Sequence, residues 1–256
     1  MKKLLQILNG VAFISVVIVN YLSNTGMLNN TTIGKISRGL NSLFTPAGYA
    51  FSIWGFIYFL LLGFVIYQGK SLFVAVKNDE FINNIGVWFL VSCIANSAWV
   101  FAWIYEYTGL SCLFIFGLLF SLLKIVMNTK MQLKSVSKSM QFFVWLPFAV
   151  YSGWVSVASV ANVSSYLVKI GWNGFGISNE VWTIVMIIIA TAINIIVLWT
   201  RHIKAFALVG AWALVAIGVA NETRVNVINY SAYVAAFILV LNATLHFFKN
   251  RNINIK

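Results

Sequence analysis

The chain has 256 residues, 61% of them hydrophobic and 9% charged, with a mean hydropathy of +0.90. A soluble domain carries about 25% charged residues, so this composition excludes a soluble globule and requires apolar surface to face lipid. The net charge of +12 does not mark a nucleic-acid partner, because the basic residues lie in short loops between apolar runs and form no single stripe.

A spanning helix needs about 20 apolar residues. Eight segments qualify: 5–22, 46–67, 83–105, 109–127, 141–163, 180–200, 205–221 and 228–248. The expected fold class is therefore all-α, a polytopic membrane helix bundle of about eight transmembrane helices in one integral membrane domain, 1–256. The first segment follows Lys2 and Lys3 as a signal peptide would. No small-x-small cleavage site follows Val19-Asn20-Tyr21-Leu22, so it is read as a span.

With eight spans, the termini and the even loops share one side. That side holds thirteen of the 17 basic residues; the other holds Lys35, Arg38, Lys169 and Arg224. The positive-inside rule then places both termini in the cytoplasm. On the outer side, the long polar loop 23–45 reads either as a connector or as a lid, and 164–179 is a second loop rich in glycine and aromatics. Trp172 and Phe175 fit headgroup anchors. The basic inner loop 128–140 suits anionic lipid.

The second segment opens with Thr45, read as a helix cap, and Pro46, read as its first residue. Phe51, Trp54 and Tyr58 then share one face at i, i+3 and i+7. Gly48, Ser52 and Gly55 form a small-residue face that invites a neighbouring helix. The third segment repeats the aromatic spacing with Asn96, Trp99 and Trp103. The fifth carries Pro147, Tyr151, Trp154, Ala158 and Asn162, with Pro147 expected to kink the axis. Any one such stripe is explained by packing. Three helices that each present aromatics with amides point to a lined cavity.

No ionisable residue sits at the centre of a span, which argues against a mid-membrane carboxylate relay. Glu180 reads as a helix-start charge and Glu222 as the ion-pair partner of Arg224. Glu106 follows the Asn96–Trp103 face and is kept as a polar group at the cavity mouth. His202 and His246 are expected at the interface. Asn194 and Asn242 are expected to bond between helices. Cys93 and Cys112 fit neither a disulfide nor a metal site, and no catalytic set appears.

The run TPAGYAFSIWGFIY resembles the Thr-Pro-Pro, Phe, Trp, Tyr signature of the translocator-protein family, the tryptophan-rich sensory proteins (TspO/MBR). NSAWVFAW is similar to its third-helix Asn-x-Ala-Trp run, and LPFAVYSGWVSVASVAN to its fifth-helix run from Leu-Pro-Tyr to Asn. The resemblance covers residues 5–163, a five-helix unit. Ala47 replaces the second proline, one residue is missing between Pro46 and Trp54, and Phe44 stands where tryptophan is usual. The Pro147-to-Trp154 interval is three residues longer. A three-helix extension, 180–248, goes beyond the family's five, and its GAWALVAIGVAN faintly echoes SGWVSVASVAN.

The reading is a membrane protein that binds a flat apolar small molecule, with a sensory or transport role. Its site residues are Phe51, Trp54, Tyr58, Asn96, Trp99, Trp103, Tyr151, Trp154 and Asn162. The resemblance implies tetrapyrrole- or lipid-like ligands. The alternatives are a secondary transporter of a hydrophobic small molecule, and a membrane enzyme acting on a bound pigment or lipid with Glu106 or Tyr58 as its proton group. Whether copies form a homo-oligomer stays open.

Overall fold

The computed structural model describes residues 2–74, 76 and 79–251. Lys77 and Lys256, two of the basic-side residues counted above, lie outside them. The described residues are helical, with no strand among them. Seven helical segments are long and apolar enough to cross a membrane, and an eighth apolar helix is shorter.

Helix α1 (Lys2–Thr25) is followed by a short α2 (Ile33–Gly39) in the first loop, then by α3 (Ile53–Gly69). The expected third span is split. Gly86 has φ 57°, a left-handed conformation that glycine adopts without a Cβ clash, and it separates α4 (Phe81–Ile85) from α5 (Trp88–Ile104). At 17 residues α5 is about 26 Å long, short of a typical hydrocarbon core. Helix α6 (Thr108–Asn128) is followed by the single turn α7 (Lys138–Met140) and by α8 (Leu146–Lys169). Helices α9 (Asn179–Arg201), α10 (Lys204–Asn221) and α11 (Asn226–Arg251) complete the described residues.

Helix α8 is the central post, packed against α3, α6, α9 and α10 and buried on several faces. Around it, α1 packs on α3 and α5, α5 on α6, and α10 on α9 and α11. The extension is therefore joined to the five-helix unit mainly through α8 and α10. That junction is close: a Cβ on Gly153 of α8 would lie 2.9 Å from the Phe206 carbonyl oxygen of α10. A small residue is what lets two membrane helices approach to backbone contact. Large apolar side chains such as Phe59, Ile66, Ile188 and Phe237 stay exposed on the outer surface, as lipid contact requires.

Inside, polar side chains latch helices together. Asn9 Nδ2 donates to Gln68 Oε1 at 3.0 Å, joining α1 to α3, and Trp199 Nε1 donates to Asn242 Oδ1 at 3.1 Å, joining α9 to α11. Asn194 does not bond across helices. Its amide donates to the Ala190 carbonyl of its own helix and packs against Gly210.

Several local expectations are corrected. Thr45 does not cap a helix. Ala47 is extended at φ −56°, ψ 149°, so the chain enters α3 through a 3₁₀ stretch, Gly48–Ser52, and Ala47 N–H donates to the Ala216 carbonyl of α10 at 2.9 Å. The Gly48/Ser52/Gly55 face does not pack on a neighbouring span as a whole: a Cβ on Gly48 would meet the Arg38 side chain of α2 at 3.2 Å, but Ser52 and Gly55 are exposed and a Cβ on Gly55 would meet nothing within 4 Å. Pro147 acts one turn earlier than a simple kink. Lacking an N–H, it cannot continue the i→i−4 ladder. The preceding Gln141–Trp145 widens into a π-turn, with Leu146 N–H donating to the Gln141 carbonyl. Arg224 does not pair with Glu222; its guanidinium donates to the Asn41 carbonyl at 3.1 Å. His202 and His246 meet each other, Nδ1 to Nε2, at 2.8 Å.

Candidate ligand-binding site

The three aromatic faces converge on Trp54. This ring stacks on Tyr58 with centroids 5.8 Å apart and on Trp99 at 6.0 Å. Tyr151 and Trp154 meet it edge-on at 5.8 and 6.4 Å. Trp99 stacks in turn on Trp103 at 6.0 Å, and Phe51 meets Trp154 edge-on at 6.1 Å. These offset and T-shaped contacts are the geometries the ring quadrupoles favour.

Beside this cluster lies a void of about 40 Å³, lined by Phe51, Trp54, Trp99, Trp103, Trp154 and Asn162 of the sequence-derived set. Ile33, Ser37, Pro46, Val157, Ala158, Ala161 and Ser165 complete the lining. Tyr58, Asn96 and Tyr151 do not line the void. They stand behind Trp54 as a supporting layer, in which Asn96 Nδ2 donates to Tyr151 Oη at 2.7 Å and Asn20 Nδ2 donates to Asn96 Oδ1 at 2.9 Å. Glu106 is not among the lining residues either. It has φ 59°, is half exposed, and pairs with Lys169 Nζ at 3.1 Å. Neither proton group of the enzyme reading thus lines the void.

Polar groups around the void divide into the satisfied and the unsatisfied. Trp99 Nε1 donates to Asn162 Oδ1 at 2.7 Å, while Asn162 Nδ2 donates to Ser111 Oγ at 2.8 Å and to Cys112 Sγ at 3.1 Å. Trp103 Nε1 donates to the Ile33 carbonyl at 3.3 Å. Trp54 Nε1 and Trp154 Nε1 have no acceptor, although the two residues are only 8% and 2% exposed. A buried donor without a partner costs about 1–3 kcal/mol, and both of these belong to residues that line the same void.

The first loop forms part of the wall of the void. Ile33 and Ser37 of α2 line it, and Thr32 caps α2 by accepting from the Lys35 N–H at 3.2 Å. The loop is folded, and is fastened by Asn29 to the Ile104 carbonyl at 3.1 Å, by Ser42 to Ser164 at 2.8 Å, and by Asn221 Nδ2 to the Leu43 carbonyl at 2.9 Å. Sequence reasoning missed α2 because its apolar residues are brief and sit in a polar stretch. Val157, Ala161 and Ser165 were readable, since they continue the Trp154 face of α8 at helical spacing.

Pockets for drug-sized ligands span about 300–1,000 Å³. A void of about 40 Å³ does not accommodate a tetrapyrrole in this arrangement.

Comparison with known proteins matches the chain to a family. A family model described as TSPO-like protein aligns with residues 6–245, which takes in the five-helix stretch and most of the last three helices. No curated protein and no solved structure matches the chain. The match spans most of a chain whose helices are built to cross a bilayer: it is an integral, multi-pass membrane protein and belongs to the TSPO-like protein family.

Proposed function

We propose that the protein binds a flat apolar small molecule bearing a hydrogen-bond acceptor, held among Trp54, Trp99, Trp103 and Trp154 beneath α2. The observation that carries this reading is the pair of buried, acceptor-less indole N–H groups at Trp54 and Trp154 beside one void. Aromatic rings supply stacking area and the free donors fix orientation, the usual division of labour in small-molecule sites. Because the void is small, α2 must lift for the ligand to enter, which makes the first loop a lid. The supporting layer of Tyr58, Asn96 and Tyr151 holds Trp54 in register.

Binding is favoured over a transport cycle that rocks the extension against the five-helix unit. Backbone contact at Gly153 and the Ala47-to-Ala216 hydrogen bond join the two parts directly, and such close packing supports a fixed scaffold.

Tryptophan quenching by planar apolar compounds, with and without a carbonyl group, tests the reading. Carbonyl-bearing compounds are expected to bind more tightly, and Trp54→Phe and Trp154→Phe, which keep a ring and lose the N–H, to erase that preference. Trp54→Leu or Trp154→Leu also removes stacking worth about 0.5–1.5 kcal/mol. Trp182→Leu and Trp199→Leu, in α9, are expected to leave affinity unchanged. Loss of binding in the α9 variants alone would move the site into the extension and defeat the proposal.

A further inference from the structure

The corner between α10 and α11, part of the three-helix extension, grips the first loop just beyond α2. Asn221 Nδ2 donates to the Leu43 carbonyl at 2.9 Å, and the Arg224 guanidinium donates to the Asn41 carbonyl at 3.1 Å. Further along, Ala47 N–H donates to the Ala216 carbonyl at 2.9 Å, and Tyr49 meets Trp212 edge-on at 5.3 Å. All four partners lie on α10 or in the turn that follows it. In both side-chain bonds the loop offers only a backbone carbonyl, so the grip is set by the side chains of the extension.

That corner is a firm platform. Asn229 Nδ2 of α11 donates to the Gly218 carbonyl of α10 at 2.9 Å, and Arg224 N–H donates to the Asn221 carbonyl at 3.0 Å. Asn221 is fully buried, and its amide also donates to the Ile217 carbonyl at 2.9 Å, which fixes its direction. Helix α2 is held differently. It has seven residues and is flanked by left-handed turns, Asn29 and Asn30 at φ 55° and 50° before it and Asn41 at φ 56° after it. Asparagine is among the few side chains that tolerate this conformation. On the side of the five-helix unit, α2 and the turn before it are fastened by the Trp103-to-Ile33 bond at 3.3 Å and the Asn29-to-Ile104 bond at 3.1 Å. A short helix between two turns can swing as a unit, and the bonds from Asn221 and Arg224 resist that swing at its C-terminal end.

We propose that Asn221 and Arg224 are positioning residues that latch α2 shut and so govern how fast the void exchanges its ligand; this rests on the reading of α2 as the lid of that site. Lifting α2 releases the Asn41 and Leu43 carbonyls, while Ala47 stays bonded to α10 and serves as the pivot. Entry and exit use the same opening, so the latch slows both equally and leaves affinity unchanged. The extension thereby gains a role at a site it does not line.

Two measurements on the full-length protein in detergent test the latch. Hydrogen exchange of the ligand-free protein reads the loop, and stopped-flow tryptophan quenching by fluorenone, a planar apolar ketone, reads the site. In Arg224→Met and Asn221→Leu, exchange at residues 33–43 is expected to rise while α3, α5 and α8 keep their protection. Association and dissociation rates are expected to rise together, by roughly twofold to threefold in each variant and roughly fivefold in the double variant, with Kd unchanged. Thr223→Ala, exposed in the same turn, is expected to change neither. Should Asn221→Leu fail to fold, Arg224→Met, at an exposed position, still carries both measurements. Unchanged exchange at 33–43 overturns the latch whether or not fluorenone binds. A faster dissociation with a matching loss of affinity and no faster association also overturns it, in favour of plain structural support. Faster exchange at 33–43 with no fluorenone binding to any form upholds the latch and defeats the reading of the void instead.

Discussion

Trp99 and Asn162 meet in the wall of the void, where the Trp99 indole N–H donates to Asn162 Oδ1 at 2.7 Å. The bond ties α5 to α8 and leaves the Asn162 amide nitrogen free to reach Ser111 and Cys112 on α6. One asparagine therefore joins three helices. Asn162→Leu keeps bulk but strands the Trp99 donor. An unpaired buried donor costs about 1–3 kcal/mol, while transmembrane hydrogen bonds average about 0.6 kcal/mol, so the expected loss is about 1 kcal/mol. Thermal unfolding in detergent measures it, and an unchanged midpoint would show that the bond adds nothing to stability.

The Gly153 contact gives a prediction of opposite sign to helix propensity. Alanine is intrinsically better in a helix than glycine by about 1 kcal/mol. At Gly153 the added Cβ would press on the Phe206 backbone, and overpacking costs about 1–3 kcal/mol. Gly153→Ala is expected to destabilise, whereas Gly117→Ala, where a Cβ meets nothing within 4 Å, is expected to be neutral or stabilising. If both variants gained stability in the same unfolding assay, the backbone contact would not limit the packing of α8 on α10.

Asp79 links the loop before α4 to the start of α1 through Lys2 Nζ at 2.7 Å. The hydrogen bond from Lys2 holds its carboxyl below the usual value of 3.8. A depressed folded-state pKa gives stability that is fully present above the unfolded value and is lost as pH falls through the folded one. The contact is partly exposed and is worth about 0–1 kcal/mol. Protection of the α1 N-terminus from hydrogen exchange is therefore expected to fall below about pH 4, and Asp79→Asn to abolish that pH dependence. A wild-type profile identical to that of the variant would rule the linkage out.

The basic asymmetry predicts cytoplasmic termini. Single cysteines replacing Asn30 and Ser137, both exposed, test this against a membrane-impermeant maleimide, in a background where Cys93 and Cys112 are replaced by serine. Asn30→Cys is expected to label in intact cells and Ser137→Cys only after permeabilisation. The reverse pattern would invert the topology.

Much of the architecture was legible in the chain because a bilayer leaves few choices. Apolar runs of sufficient length must become helices that satisfy their own backbone, so the eight apolar segments were legible from local composition, although the third is broken at Gly86 and leaves a helix shorter than the span expected. The aromatic faces were legible because helical periodicity places Phe51, Trp54 and Tyr58, or Asn96, Trp99 and Trp103, on one side whatever the partner helix is. Membership of the TSPO-like family was legible for the same reason, since its motifs lie on those faces.

What depends on a second helix was not legible. Periodicity names a face but not the depth at which a residue sits on it, so Tyr58, Asn96 and Tyr151 could not be separated from the residues that touch the void. The polar first loop gave no sign that Ile33 and Ser37 would be buried in the wall of the void, because that burial depends on contacts with other helices. The free indole donors of Trp54, Trp154 and Trp145 are likewise tertiary facts: whether an N–H finds an acceptor depends on what the neighbouring helix presents. The sequence by itself determined a membrane bundle with three aromatic faces, through hydrophobic length and helical period. Only tertiary packing decided which rings line the void and which indole donors are buried without an acceptor.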